Sequence, residues 1–218
     1  MGHIVLMGDS IFDNAPYVVE GTHVQARLQS VLGPADRVSL LARDGSVVAD
    51  MLEQVAKLHT LPAADWLVVS CGGNDVLGLV GAMQSKVASV IEAAGMLADW
   101  QAGFRRDYRR MVNLLLSRRT PLALATIYDS VPGLAPGLRT ALAPFNDVIL
   151  REAAVHRLPV LDLRLVCDHP DDYAAVSPIE PSSAGGAKIA DAIAQLVRGQ
   201  DPAARHTVVY GPARTSSS

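Results

Sequence analysis

Cysteine is scarce in this chain. Cys71 and Cys167 are its only two, far apart in 218 residues and without a CxxC spacing. One bridge between them is an option, but a reducing compartment suits them better. Basic charge is also in deficit: 19 Lys and Arg stand against 22 Asp and Glu, giving a formal net charge of -3 and a sequence pI near 6.0. That excludes the electrostatic footprint of a nucleic-acid or anionic-membrane binder. Long unbroken hydrophobic runs are missing too. The most apolar stretch, residues 76–98, carries Gln84, Lys86 and Glu92 and reads as a helix packed on protein rather than a membrane span. An apolar run already begins at residue 3, with no charged and apolar leader before it, so a cytoplasmic location is expected.

Half of the residues are hydrophobic, which rules out disorder and supplies one substantial core. Five short apolar runs alternate with helical patterns: "HIVLM" (3–7), "DRVSLLA" (36–42), "DWLVVSC" (65–71), "LALATI" (122–127) and "LPVLDL" (158–163). Near-continuous apolar runs are what strands covered on both faces require. Helices are expected at 22–33, with Thr22 as N-cap and Gly33 as stop, at 46–58, in two stretches within 76–118, at 138–156 and from 183 to 197. Trp100, Phe104, Tyr108, Met111 and Leu115 recur at helical spacing and read as a core stripe. Arg105, Arg106, Arg109 and Arg110 on the same helix read as its solvated face. The alternation predicts a single α/β domain over residues 1–198, a three-layer α/β/α sandwich around a five-stranded parallel sheet. Residues 199–218 turn polar and read as a loose, disordered C-terminal tail ahead of the alternatives that its "HTVVY" pairs as an edge strand or contacts a partner.

In such a sheet, ligands bind beyond the carboxyl ends of the strands. The unusual polar residues fall there. The first strand ends in "GDS" (Gly8, Asp9, Ser10), the second in "RDGS" (Gly45) and the third in "CGGND" (Gly72, Gly73, Asn74, Asp75). The fourth ends in "IYDS" (Tyr128, Asp129), and the fifth leads through "LRLVCDHPDDY" to Glu180. Each has a bland reading: Asp9 as a cap, Gly45 as a turn glycine, Asn74 or Asp75 capping the next helix. Five loops converging on one rim favour a site, because core packing does not demand it.

"VLMGDSIFDN", "GGND", "FNDVILREAAVHRLPVLDLR" and "GGAKIADAI" together resemble the SGNH/GDSL hydrolases, esterases and lipases with a flavodoxin-like fold. The resemblance implies Ser10 as nucleophile. It implies an oxyanion hole made of the Ser10 and Gly45 backbone N–H groups and the Asn74 side-chain amide. It calls for no cofactor and no metal, and a small-molecule ester as substrate; esters of short acids, acylated sugars and thioesters all fit. "VLGLVGAM" (76–83) and "YDSVPGLAPG" (128–137) are candidate walls for an acyl group, or core and connection.

One element is absent. The family's last block reads Asp-x-x-His, followed five residues after the His by glycine. Counting back from Gly185 puts Glu180 at the His position and Ser177 at the Asp position. Three readings follow. In the first, Glu180 is the base. Glutamate is intrinsically about two pKa units less basic than histidine, a deficit of about 3 kcal/mol. Being neutral once protonated, it needs no Asp partner, which makes the double replacement coherent; such a base would work into mildly acidic solution. In the second, the fold survives as a catalytically silent binding protein. In the third, His169 in "DHPDD" serves as base, oriented by Asp168, Asp171 or Asp172; the carboxylates there match no metal-binding spacing. His156 falls at a helix end, and His3, His23, His59 and His206 fall away from the rim.

Overall fold

The first apolar run forms β1 (His3–Gly8), whose successive side chains feed two different cores. Ile4 and Leu6 pack into one, Val5 and Met7 into the other. The same division holds in β3 (Trp66–Ser70), where Trp66 and Val68 face one core and Leu67 and Val69 the other, and in β4 (Leu122–Ala125). No face of these strands meets water, which is why the runs are continuous rather than alternating. The computed structural model describes residues 2–201, 203, 204 and 206–212.

Around these strands lie α1 (Val24–Leu32), β2 (Arg37–Leu40), α2 (Met51–Lys57), the short α3 (Gly73–Leu77) and the long α4 (Val90–Leu116). Then follow α5 (Pro136–His156), β5 (Val160–Leu161), α6 (Leu163–Val166), the hairpin strands β6 (Tyr173–Ala174) and β7 (Ser177–Pro181), and α7 (Ser183–Gly199). Helices α1 and α7 cover one face of the sheet; α2, α4 and α5 cover the other. The strand order is β2-β1-β3-β4-β5-β8, parallel throughout, with β8 at Val209–Tyr210. Chain direction across the sheet reverses between β1 and β3, and loops leaving the two sides of such a switch point open a crevice.

The expected architecture is present, with differences in detail. The sheet has six strands, not five. The sixth comes from "HTVVY": Val160 N–H donates to Val208 O and Asp162 N–H to Tyr210 O, both at 2.8 Å. The part of the tail described here therefore pairs with the sheet edge, because β5 would otherwise leave those groups without a backbone partner; residues 213–218 lie outside the described residues. Thr22 does not cap α1. Its hydroxyl donates to Val19 O, while the first-turn N–H of Val24 is taken by Asn14 Oδ1 at 2.9 Å. Gly33 ends that helix, as expected.

Phe104, Tyr108, Met111 and Leu115 are core, whereas Trp100 is only half-buried. Arg109 is exposed, as expected of a solvated face, but it also has an inward partner. Its Nε and Nη2 donate to Glu152 Oε1 at 3.0 and 2.8 Å, and Glu152 is fully buried on α5. Both cysteines are buried free thiols. Among the described residues no helix is long and apolar enough to cross a membrane, and no cluster of His, Cys, Asp and Glu could hold a metal ion.

Candidate active site

The turn after β1 is set by Gly8. It has φ +123°, and a Cβ there would stand 1.7 Å from the Ser70 carbonyl oxygen, so only glycine fits. The Gln54 amide clamps it, accepting the Gly8 N–H at 2.8 Å and donating to its carbonyl at 2.7 Å. Asp9 N–H then donates to Ser70 O at 3.1 Å, crossing to β3. This sharp exit leaves Ser10 at the sheet's carboxyl edge, 6% exposed and lining a pocket.

The loops after β2 and β3 are tied together by the residues of "GGND". Asn74 Nδ2 donates to Ser46 O at 2.9 Å, and Asp75 Oδ2 accepts the Val48 N–H at 3.0 Å. Neither side chain caps α3, whose N-cap is Gly72. One Asn74 amide hydrogen is thus spent on holding Gly45's loop, leaving the other for a ligand. The N–H groups of Ser10 and Gly45 have no partner among the described residues. Ser10 and Asn74 line the pocket; Gly45, at φ +78°, stands exposed one residue from Asn74's contact and is not part of that wall.

Glu180 lines the same pocket. It lies not in a loop but on β7, paired antiparallel with β6. Its neighbours are pinned on both sides. Tyr128 donates its hydroxyl to Ile179 O at 2.5 Å, and Asn14 Nδ2 donates to Pro181 O at 3.1 Å. Neither residue stands out in the sequence as a positioning group for position 180, since both bonds span distant segments.

The Glu180 side chain is 4% exposed, and burial pushes its pKa up to about 7. The Ser10 hydroxyl beside it pulls it down, and the nearby Asp44 charge adds to the rise. Its Oε2 is buried without a hydrogen-bond partner. The basicity deficit of a glutamate is therefore removed, because about 7 lies beside the histidine value of about 6.5. Activity in mildly acidic solution, expected of an ordinary glutamate, does not follow here. Asp44, which accepts the Tyr17 hydroxyl at 2.6 Å, tunes this group through space. Asp44→Asn removes a negative charge that opposes Glu180 ionisation, so the acidic limb of the pH–rate profile moves to lower pH. Salt screening should shrink the difference between the two proteins; a limb that stays put or moves upward contradicts the tuning.

A second carboxyl group stands beside Ser10. Asp9 is buried, its Oδ1 accepts the Ile11 N–H at 3.2 Å, and burial is the main reason its pKa rises to about 8. It does cap locally, as the bland reading has it, and it is mostly protonated at neutral pH. Two adjacent carboxyl groups in one dry pocket resist double ionisation. Here the committed, protonated one is Asp9 and the uncommitted one is Glu180.

His169 is not brought to the pocket. It is exposed, its Nδ1 accepts the Asp171 N–H at 3.3 Å, and its backbone N–H donates to Asp172 Oδ2 at 3.0 Å. Ser177 begins β7 opposite Ala174, with no hydrogen bond to Glu180 among the described residues. His156 ends α5, with Nε2 3.8 Å from Glu152 Oε2.

Beyond Ser10 the pocket is apolar, walled by Val76, Leu77, Val80, Ile127, Leu134 and Leu142. Both segments named as acyl walls thus contribute to it. The sequence pattern of the GDSL-like lipase/acylhydrolase family matches residues 6–188. Comparison with curated proteins gives no match. Similar solved structures include an alpha/beta hydrolase enzyme from the metagenome of Lake Arreo, Spain, at 18% identity and TM-score 0.66, covering 91% of this chain and 95% of that one. Another is an acetyl xylan esterase variant from Geobacillus stearothermophilus, at 16% identity and TM-score 0.65, covering 98% of this chain and 97% of that one. A lipase from a goat rumen metagenome has 15% identity and TM-score 0.66, covering 88% and 95%. At these identities the likeness establishes the shared fold.

Proposed function

The chain belongs to the GDSL-like lipase/acylhydrolase family, and from that premise we propose that it hydrolyses carboxylic esters through an acyl-enzyme on Ser10, with Glu180 as general base. The Ser10 oxygen attacks the ester carbonyl carbon as its proton passes to the Glu180 carboxylate. The carbonyl oxygen becomes an oxyanion, facing the N–H groups of Ser10 and Gly45 and the free amide hydrogen of Asn74. Collapse expels the alkoxide, which takes the proton from Glu180 and leaves as the alcohol. Water then attacks the acyl group, Glu180 accepts its proton, and that proton returns to the Ser10 oxygen as the carboxylic acid departs. No step calls on a cofactor.

The observation that carries this reading is the Glu180 carboxyl: buried beside the Ser10 hydroxyl, unpartnered at Oε2 and raised to a pKa of about 7. Buried carboxyl oxygens are ordinarily satisfied, and one left open against a hydroxyl suits proton transfer. The test is an alkyl fluorophosphonate, which a Ser–base pair attacks and an inert serine does not. Mass spectrometry of the digested protein should place one phosphonyl adduct on Ser10, together with loss of p-nitrophenyl butanoate hydrolysis. Absence of both adduct and turnover sinks the hydrolase reading and leaves a binding protein on this fold.

A further inference from the structure

A second apolar hollow adjoins the pocket beside Ser10. It is a groove of about 330 Å³ between the N-terminal halves of α4 and α5, walled by Val87, Met96, Leu97, Trp100 and Ala141. Met83 and Leu138 line both spaces, so the groove and the pocket meet at these two side chains. No charged side chain lines the groove, and Ser85 brings its one hydroxyl. The pocket itself encloses about 120 Å³, less than the roughly 150 Å³ of a cavity that holds benzene. A chain longer than a few carbons extends past this volume, and the apolar groove beside Met83 and Leu138 is next to it.

We infer that the acyl site is in two parts and takes linear medium-chain fatty acyl groups, the carbonyl at Ser10 and the tail in the groove beyond Met83 and Leu138. The placement of the carbonyl rests on the ester-hydrolase reading; the affinity of the groove for an alkyl tail does not. A sugar-bearing or charged acyl group would meet no polar side chain there but Ser85 and would lose its hydration. An alkyl tail leaves water for an apolar wall, which is favourable for each methylene buried.

The experiment compares p-nitrophenyl esters from butanoate to decanoate in the wild type and in Gly137→Phe. Gly137 lines the groove but not the Ser10 pocket, and a Cβ built there meets nothing within 4 Å, so a side chain starts there without a clash. In the wild type, kcat/KM should rise about fourfold for each methylene entering the groove, or about 0.8 kcal/mol. Gly137→Phe should lower the decanoate-to-butanoate ratio at least tenfold.

A binding readout separates this assignment from the catalytic one. Trp100 and Trp66 are the only tryptophans, and Trp66 is buried in the opposite core. Methyl decanoate added to Ser10→Ala should alter the tryptophan emission, methyl butanoate should not, and Trp100→Phe should abolish the response. If esters are cleaved but the chain-length ratio is flat and indifferent to Gly137→Phe, the two-part site is overturned while the hydrolase stands. If nothing is cleaved yet methyl decanoate perturbs Trp100 in a Gly137-sensitive way, the groove binds alkyl chains and only the catalytic reading falls. Silence in both measurements overturns both.

Discussion

Glu180→Gln should lower kcat/KM on p-nitrophenyl butanoate by about 10²- to 10⁴-fold, the range for loss of a positioned general base. The amide keeps the size of the side chain and its place on β7, between the pinned carbonyls of Ile179 and Pro181. What it loses is the ability to accept the Ser10 proton. His169→Ala should stay within about twofold of the wild type, because that imidazole is exposed, engaged with the turn at 170–172 and outside the pocket. In the wild type, kcat/KM should climb with pH and level off above about 7, where Glu180 is ionised. The reverse pattern, with His169→Ala inactive and Glu180→Gln active, would remove Glu180 from the mechanism.

The same substitution should make the protein more stable. Glu180 is raised from 4.5 to about 7 and Asp9 from 3.8 to about 8, both chiefly by burial. Each group holds its proton in the folded protein across a pH range where the unfolded chain has lost it. Folding stability therefore falls as pH rises from about 4.5, at about 1.4 kcal/mol per pH unit for each such group, and levels off as the folded pKa is passed. Asp162 opposes this at lower pH. Although its burial acts to raise its pKa, hydrogen bonds from Arg164 and Thr126 more than compensate and hold it below the usual carboxylate value. That contribution is lost as acid protonates it. Maximal stability is thus expected below about pH 4.5. Thermal melts from pH 5 to pH 8 should show a falling Tm in the wild type and a shallower fall in Glu180→Gln and in Asp9→Asn. Each variant should melt above the wild type at pH 8. A wild-type Tm that rises over that interval would contradict burial as the source of both shifts.

Most of the fold is legible because covering a parallel sheet on both faces leaves an unmistakable trace, the uninterrupted apolar run. "LPVLDL" was legible as a strand, yet only Val160–Leu161 stays in the sheet. Asp162 turns away to accept Thr126 Oγ1 at 2.9 Å and to cap α6, a pairing local pattern does not carry. Position 180 could be found by counting because Gly185 is fixed: a Cβ there would lie 2.1 Å from the Asp172 carbonyl oxygen, which locks the start of α7 against the preceding turn. Tyr128 and Asn14 were missed as the supports of Glu180, since hydrogen bonds across 51 and 167 residues leave no periodicity. The partner of Arg109 was missed for a related reason, although its exposure was read correctly. Its place in a run of arginines suggests solvent, and only the packing of α4 on α5 brings the buried Glu152 to it. The proton affinity of Glu180 is likewise a property of its surroundings rather than of its residue type.

With Glu180 as the proposed base, a proton affinity near neutrality would tie the reaction to its own waste. Each ester cleaved would liberate an acid, and in weakly buffered surroundings that acid would drive Glu180 towards its protonated, idle form. Accumulating product would therefore brake turnover without occupying the pocket, while the resting chain becomes harder to unfold.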